Sequence, residues 1–128
     1  MSDLKERIKK IDDIQKEVVH VDEWDADIEV RGMSGEERAE YFKASYDDEG
    51  KPIYGKASVN VLIETCYDPE TSKKLFDAKD ASWLSKKSGA ALNRLGMAAL
   101  RLSGVSADEQ EKIKNVSGVE EKDASTSP

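Results

Sequence analysis

The stretch Lys56-Ala57-Ser58-Val59-Asn60-Val61-Leu62-Ile63-Glu64-Thr65-Cys66-Tyr67 reads two ways, and the choice between them decides the fold. Wound as a helix, it gathers Val59, Leu62, Ile63 and Cys66 on one face. Drawn out as a strand, it alternates Ala57, Val59, Val61, Ile63 and Thr65 toward one side. The β-branched content favours the strand, and the length favours the helix. A helix over 56–67 is the reading adopted, which makes the chain mostly helical. Cys66 then falls on the apolar face with no cation or histidine near it in sequence. That is the setting of a small buried core residue, not of a reactive thiol.

A helix of this kind needs a partner, and the stretch from Asp77 to Asn115 supplies one. Leu92, Leu95, Ala99 and Leu102 recur at helical spacing, and Ala91, Ala98 and Leu100 widen their stripe. A face that wide must be buried, and the expected surface is the Val59–Cys66 helix together with a hairpin upstream. Asp77 caps a preceding helix, with Asp80 three residues on and Ala81, Trp83 and Leu84 within it. Ser88-Gly89 separates the two helices, and Gly104 stops the second. Ser106 and Glu109 open a short last helix that carries Ile113. Gly96 inside the long helix costs about 1 kcal/mol relative to alanine, so it marks a close helix crossing, expected within the domain.

Upstream the period changes. Glu17–Val21 and Asp27–Arg31 are short β-branched runs joined by Asp22-Glu23-Trp24-Asp25-Ala26, an antiparallel hairpin with a loop too long for the tightest turns. Trp24 near its tip is a packing anchor. Before it, Leu4, Ile8, Ile11 and Ile14 line a narrow face over 1–14, expected as a helix packed on the domain surface. After it, Ser34 and Glu37 form a capping box, and Ala39, Phe42 and Tyr46 repeat on the face of the helix that follows. Asp47-Asp48-Glu49-Gly50 is a solvated loop without the spaced ligands of a calcium site. Asp68-Pro69-Glu70-Thr71 is a turn, and Leu75-Phe76 forms an apolar clamp. The expectation is an α+β fold: a mostly helical small domain, about five or six helices with an N-terminal antiparallel β-hairpin. It occupies 15–115, and 116–128 is too small and polar to order itself.

Composition narrows the function. The 128 residues are 38% hydrophobic and 37% charged, with a net charge of -7, which disfavours nucleic acid and anionic membranes as partners. The one cysteine admits no internal disulfide, and Met1–Lys10 contains no apolar run of a secretory signal. Lone His20 sits among valines without a nucleophile or a partner at telling spacing. One histidine and one cysteine are too few for a metal centre, and the glycines form no phosphate loop. No catalytic, cofactor or metal residue is assigned, and the physical reading is a non-enzymatic interaction protein.

Several motifs in order resemble the tail assembly chaperones of long-tailed bacteriophages. Val30-Arg31-Gly32-Met33-Ser34-Gly35-Glu36-Glu37-Arg38-Ala39-Glu40-Tyr41 is similar to that family's V-R-x-[L/M]-S-G-x-E-R-x-x-[Y/F]. It follows a Glu-Val-x-Val and Glu-Trp hairpin, here Glu17–Val21 and Glu23-Trp24. Asp68-Pro69-Glu70-Thr71 with Leu75-Phe76 is similar to D-P-E-T-G-x-x-[L/V]-F, with Ser72 where the family usually has glycine. Leu100-Arg101-Leu102-Ser103-Gly104 closes the last long helix in the family manner, while Ser45–Gly55 is longer than the family pattern. The resemblance covers roughly residues 15 to 115 and implies a chaperone of virion assembly. Such a protein binds the hydrophobic tape measure protein, recruits major tail (tube) protein subunits around it, acts in the host cell cytoplasm and leaves before the particle is mature. In many members a programmed frameshift appends a second domain, and self-association is a further expectation.

The partner surface is expected around Trp83, with Ile113 of the last helix and Val116 of the tail. No cofactor, nucleic acid or membrane enters this reading. A competing one is an acidic DNA mimic or anti-repressor, which needs carboxylates arrayed at phosphate-like spacing on one exposed face. A third, a small enzyme, needs a polar cleft.

Overall fold

A computed structural model describes residues 3–53 and 55–105 of the chain. In order, it contains α1 (Asp3–Lys10), β1 (Lys16–Val21), a 3-10 turn (Asp22–Trp24), β2 (Ala26–Arg31), α2 (Gly35–Ser45), α3 (Ala57–Thr65), β3 (Cys66–Tyr67), a second 3-10 turn (Ala78–Asp80), α4 (Ala81–Leu84) and α5 (Gly89–Leu102). The expected α+β class stands: five helices and a three-stranded antiparallel sheet ordered β1-β2-β3.

The hairpin lies where the alternation put it. Val19 faces Ile28 and Val21 faces Ala26 across the ladder, and Ile28, Val30 and Val21 are buried. Its tip turns through the 3-10 segment and then through Asp25 in the left-handed region (φ 47°), where aspartate is among the better tolerated residues.

The ambiguous stretch is a helix up to Thr65 and a strand from Cys66. The Cys66 N–H still closes the helix on the Leu62 carbonyl, but its backbone is already extended (φ -94°, ψ 131°). Cys66 then pairs with Val30 and Tyr67 with Glu29, adding a third strand that the hairpin expectation lacked. Arg31, ion-paired to Glu29 at 2.7 Å, also lies 3.8 Å over the Tyr67 ring, so that face of the junction is closed by charge and aromatic contact. Burial of Cys66 holds as expected and pushes its thiol up to about 12, so it stays protonated and unreactive at neutral pH.

The turn after β3 is held by Asp68 and Ser72: the Asp68 N–H reaches the Lys73 carbonyl at 2.9 Å, and the Ser72 N–H reaches the Asp68 carbonyl at 2.7 Å. Ser72 sits at φ 64°, a conformation suited to the glycine the family pattern has there. Ser72→Gly is therefore expected to stabilise the fold by about 0.5–1 kcal/mol, relief of left-handed strain outweighing the added freedom of the unfolded chain. Urea denaturation of the two proteins measures it as a higher midpoint at unchanged slope.

α2 begins with the expected capping box. The Glu37 N–H donates to Ser34 Oγ at 3.1 Å, and the Ser34 N–H donates to Glu37 Oε1 at 2.9 Å. Its buried face differs from the expected Ala39, Phe42, Tyr46 row. Tyr41 and Ser45 are buried, Phe42 and Tyr46 are half-buried and Ala39 is exposed. The physical reason is where α3 lies. Asn60 of α3 donates to the Ala44 carbonyl and to Ser45 Oγ, both at 3.2 Å, which turns the Tyr41–Ser45 side of α2 inward.

α3 packs between α2 and α5, and the hairpin covers another flank of α5. Ala91, Leu92, Leu95, Ala98, Ala99 and Leu100 are buried on α5, while Leu102 from the expected stripe is half-buried. A β-carbon on Gly96 would stand 3.6 Å from Val61 Cγ1, so the glycine does mark an internal α3–α5 approach. α5 ends in a Schellman arrangement: the Val105 N–H returns to the Leu100 carbonyl at 3.0 Å, and the N–H of Gly104 (φ 75°) returns to the Arg101 carbonyl at 3.2 Å.

α1 departs from expectation. None of its residues is buried, and Leu4, Ile8 and Ile11 are 60%, 59% and 61% exposed, so its apolar face is not packed on the domain. Amphipathic spacing shows that a face wants cover; it does not say that the same domain supplies it. The capping box at Ser106 and Glu109, Ile113, Val116 and the tail over 116–128 lie outside the described residues.

Candidate partner-binding surface

Trp83, the residue expected to face a partner, is 46% exposed. The local sequence sets its pose. Asp77 and Asp80 cap the turn reciprocally, with the Asp77 N–H donating to Asp80 Oδ2 and the Lys79 N–H donating to Asp77 Oδ1, each at 2.9 Å. The remaining Asp80 oxygen accepts the Trp83 indole N–H at 2.9 Å. The Asp77 backbone N–H and then that indole hold the Asp80 carboxyl below the usual carboxylate range. Phe76 meets the ring edge-on at a centroid distance of 5.9 Å. The indole is fixed and its polar edge is spent within the chain.

Trp83 forms one wall of a cleft of about 600 Å³. The hairpin tip and β2 line it with Glu23, Trp24, Ala26, Asp27 and Ile28, and the segment after β3 lines it with Asp68, Pro69, Leu75 and Phe76. Leu75 is 36% exposed, and Trp24 packs half-buried against the core. Three separate stretches thus converge on one apolar surface with acidic walls. Sequence reasoning found only Trp83 of this set. Trp24 reads as an anchor and Leu75-Phe76 as a clamp, which they also are, and only the third strand brings the three together.

The charged groups around the cleft are arranged by pairing. Arg94 of α5 makes a two-toothed bond to Glu23 at 2.9 and 3.2 Å, which holds the Glu23 carboxyl below its ordinary range. Seven residues on, Arg101 reaches Glu17 at 3.0 Å, so two arginines of α5 tie the hairpin down. His20 Nδ1 lies 2.7 Å from Asp27, and its Nε2 lies 3.2 Å from Asp22. The bond to Asp27 raises the His20 pKa above the ordinary imidazole value.

A proton-detected titration of this single histidine is expected to give a midpoint above that of a free imidazole, and Asp27→Asn should bring it down. Because the folded value is raised, the contribution of this contact to stability is complete below the unfolded pKa. It is lost as pH rises through the folded one.

Other carboxylates have local duties: Glu37 and Asp80 in caps, Asp47 and Asp68 in turns, Glu29 in an ion pair. At these five positions that is capping, turn and pairing chemistry. Among the described residues there is no group of three or more His, Cys, Asp or Glu able to hold a metal ion, and no helix long and apolar enough to cross a membrane.

A family model described as phage tail assembly chaperone matches residues 4–115, which takes in every wall of the cleft. The chain belongs to the phage tail assembly chaperone family. Its fold is similar to the structure of the bacteriophage HK97 tail assembly chaperone, with a TM-score of 0.53 over 79% of this chain and 98% of that one. Sequence identity there is 19%, so the likeness is one of fold. Among curated proteins none matches this chain in sequence. Family membership agrees with the reading from the motifs in the hairpin, the α2 cap and the end of α5.

Proposed function

We propose that this chaperone binds an apolar segment of the tape measure protein in the host cell cytoplasm. It keeps that protein soluble, helps recruit tail tube subunits around it and departs before the particle is mature. The observation that carries the reading is the cleft itself: exposed Trp83 and Leu75, backed by Phe76 and Trp24, on a domain of the tail assembly chaperone family. Fixed aromatic side chains in a concave apolar surface hold large apolar side chains at low entropic cost. The net charge of -7 keeps loaded complexes apart.

Co-expression with the tape measure protein of the same phage tests the proposal. The expected result is that the tape measure protein stays in the soluble fraction and co-purifies with the chaperone. Precipitation of the tape measure protein to the same extent with and without the chaperone would count against it.

A further inference from the structure

We infer that the cleft selects an amphipathic segment carrying lysine or arginine beside its apolar side chains. This rests on the reading of the cleft as the client site and adds the chemistry by which a client is chosen. The Trp83 N–H is committed to Asp80, so the indole offers only its ring, and a ring face holds apolar groups and cations. The walls carry Glu23, Asp27 and Asp68 against the single Lys87.

Glu23 is matched by Arg94. Asp27 is met by His20, and Asp68 accepts the Glu70 backbone N–H at 2.8 Å, so neither is neutralised by a lysine or arginine among the described residues. An apolar segment seated here takes water from both carboxylates, which favours a segment that brings its own positive charge and disfavours an acidic one. Asp22 and Asp25 at the hairpin tip extend the same sign beyond the cleft.

Both tryptophans of the chain line this cleft, so their emission reads its occupancy directly. The probes are a synthetic amphipathic peptide of leucine and lysine and its counterpart with every lysine replaced by glutamate. The lysine peptide is expected to shift the emission on titration and to bind about tenfold or more tighter than the glutamate peptide. Trp83→Ala should weaken it by about tenfold or more. The pair Asp27→Asn and Asp68→Asn should narrow the gap between the two peptides. Asparagine keeps the Asp68 turn acceptor, so these variants retain the fold even if Trp83→Ala does not.

Equal binding of the two peptides, or a gap untouched by the asparagine pair, would overturn the inference. Emission that changes with protein concentration alone and is restored by Ile8→Asp would seat α1 of a second copy in the cleft; α1 carries Lys5, Arg7, Lys9 and Lys10 beside exposed Leu4 and Ile8, so the selection would stand and the reading of the cleft as the client site would fail. If the tape measure protein co-purifies undiminished with the asparagine pair, this selection fails while the proposed function stands. If the lysine peptide binds as expected and the tape measure protein does not co-purify, the proposed function fails while the selection stands.

Discussion

Gly32→Ala is expected to cost about 3 kcal/mol of stability, among the largest effects of any single methyl group in this chain. A β-carbon at Gly32 would lie 2.5 Å from the Leu102 carbonyl oxygen and 3.0 Å from its carbon. Both are backbone atoms at the end of α5, so no side chain can swing aside. The junction is pinned on each side of the contact. The Gly32 N–H donates to the Gln15 carbonyl at 2.9 Å, and the Met33 N–H donates to Ser103 Oγ at 2.8 Å. Ser103 Oγ in turn donates to the Ala99 carbonyl at 2.6 Å. Relieving the clash means moving the end of β2 off the last turn of α5, with loss of those bonds. Thermal unfolding should show a midpoint lower by roughly 10–20 °C. Gly35→Ala is the control, since a β-carbon there meets nothing within 4 Å and the midpoint should barely move.

Leu95→Ala is expected to cost about 2–5 kcal/mol through lost burial and the cavity left behind. Leu95 is fully buried on α5, as are Leu62 on α3 and Leu100 further along α5. Close-packed helices on fixed crossings collapse little into such a void. Leu102→Ala tests the same expected stripe at a half-buried position, and its cost should be about 1 kcal/mol. Chemical denaturation of the two variants separates them. Equal losses would mean that the core extends past the described packing toward Leu102.

How much of this was legible in the sequence depended on how local the cause was. The caps at Ser34 and Asp77 and the stop at Gly104 are set by their own few residues, and each stands where the sequence placed it; Ser88, expected only as part of a separator between helices, caps α5. The α5 stripe was legible because seven of its fourteen residues are buried and repeat at helical spacing. Cys66 and Tyr67 were not legible as a strand. Their extended form is decided by Val30 and Glu29, which are more than thirty positions upstream. On α2 the neighbours Tyr41 and Phe42 are both aromatic, and only the position of α3 picks Tyr41 for the core.

The candidate site shows the same division. Trp83 stood out alone as a large aromatic beside a cap. Its companions Trp24, Leu75 and Phe76 became a surface only through the sheet that joins the hairpin to the 68–76 segment. The exposed face of α1 reverses an expectation for the mirror-image reason: the spacing does mark an apolar face, and the cover it asks for is not in the described domain.

Hydrogen exchange on the chaperone, alone and in complex with the tape measure protein, locates the client on its surface. A client seated in the cleft slows exchange at Trp24–Ile28, at Asp68–Phe76 and around Trp83. Protection confined to α1 or to the exposed side of α2, with the cleft segments unchanged, would contradict that placement.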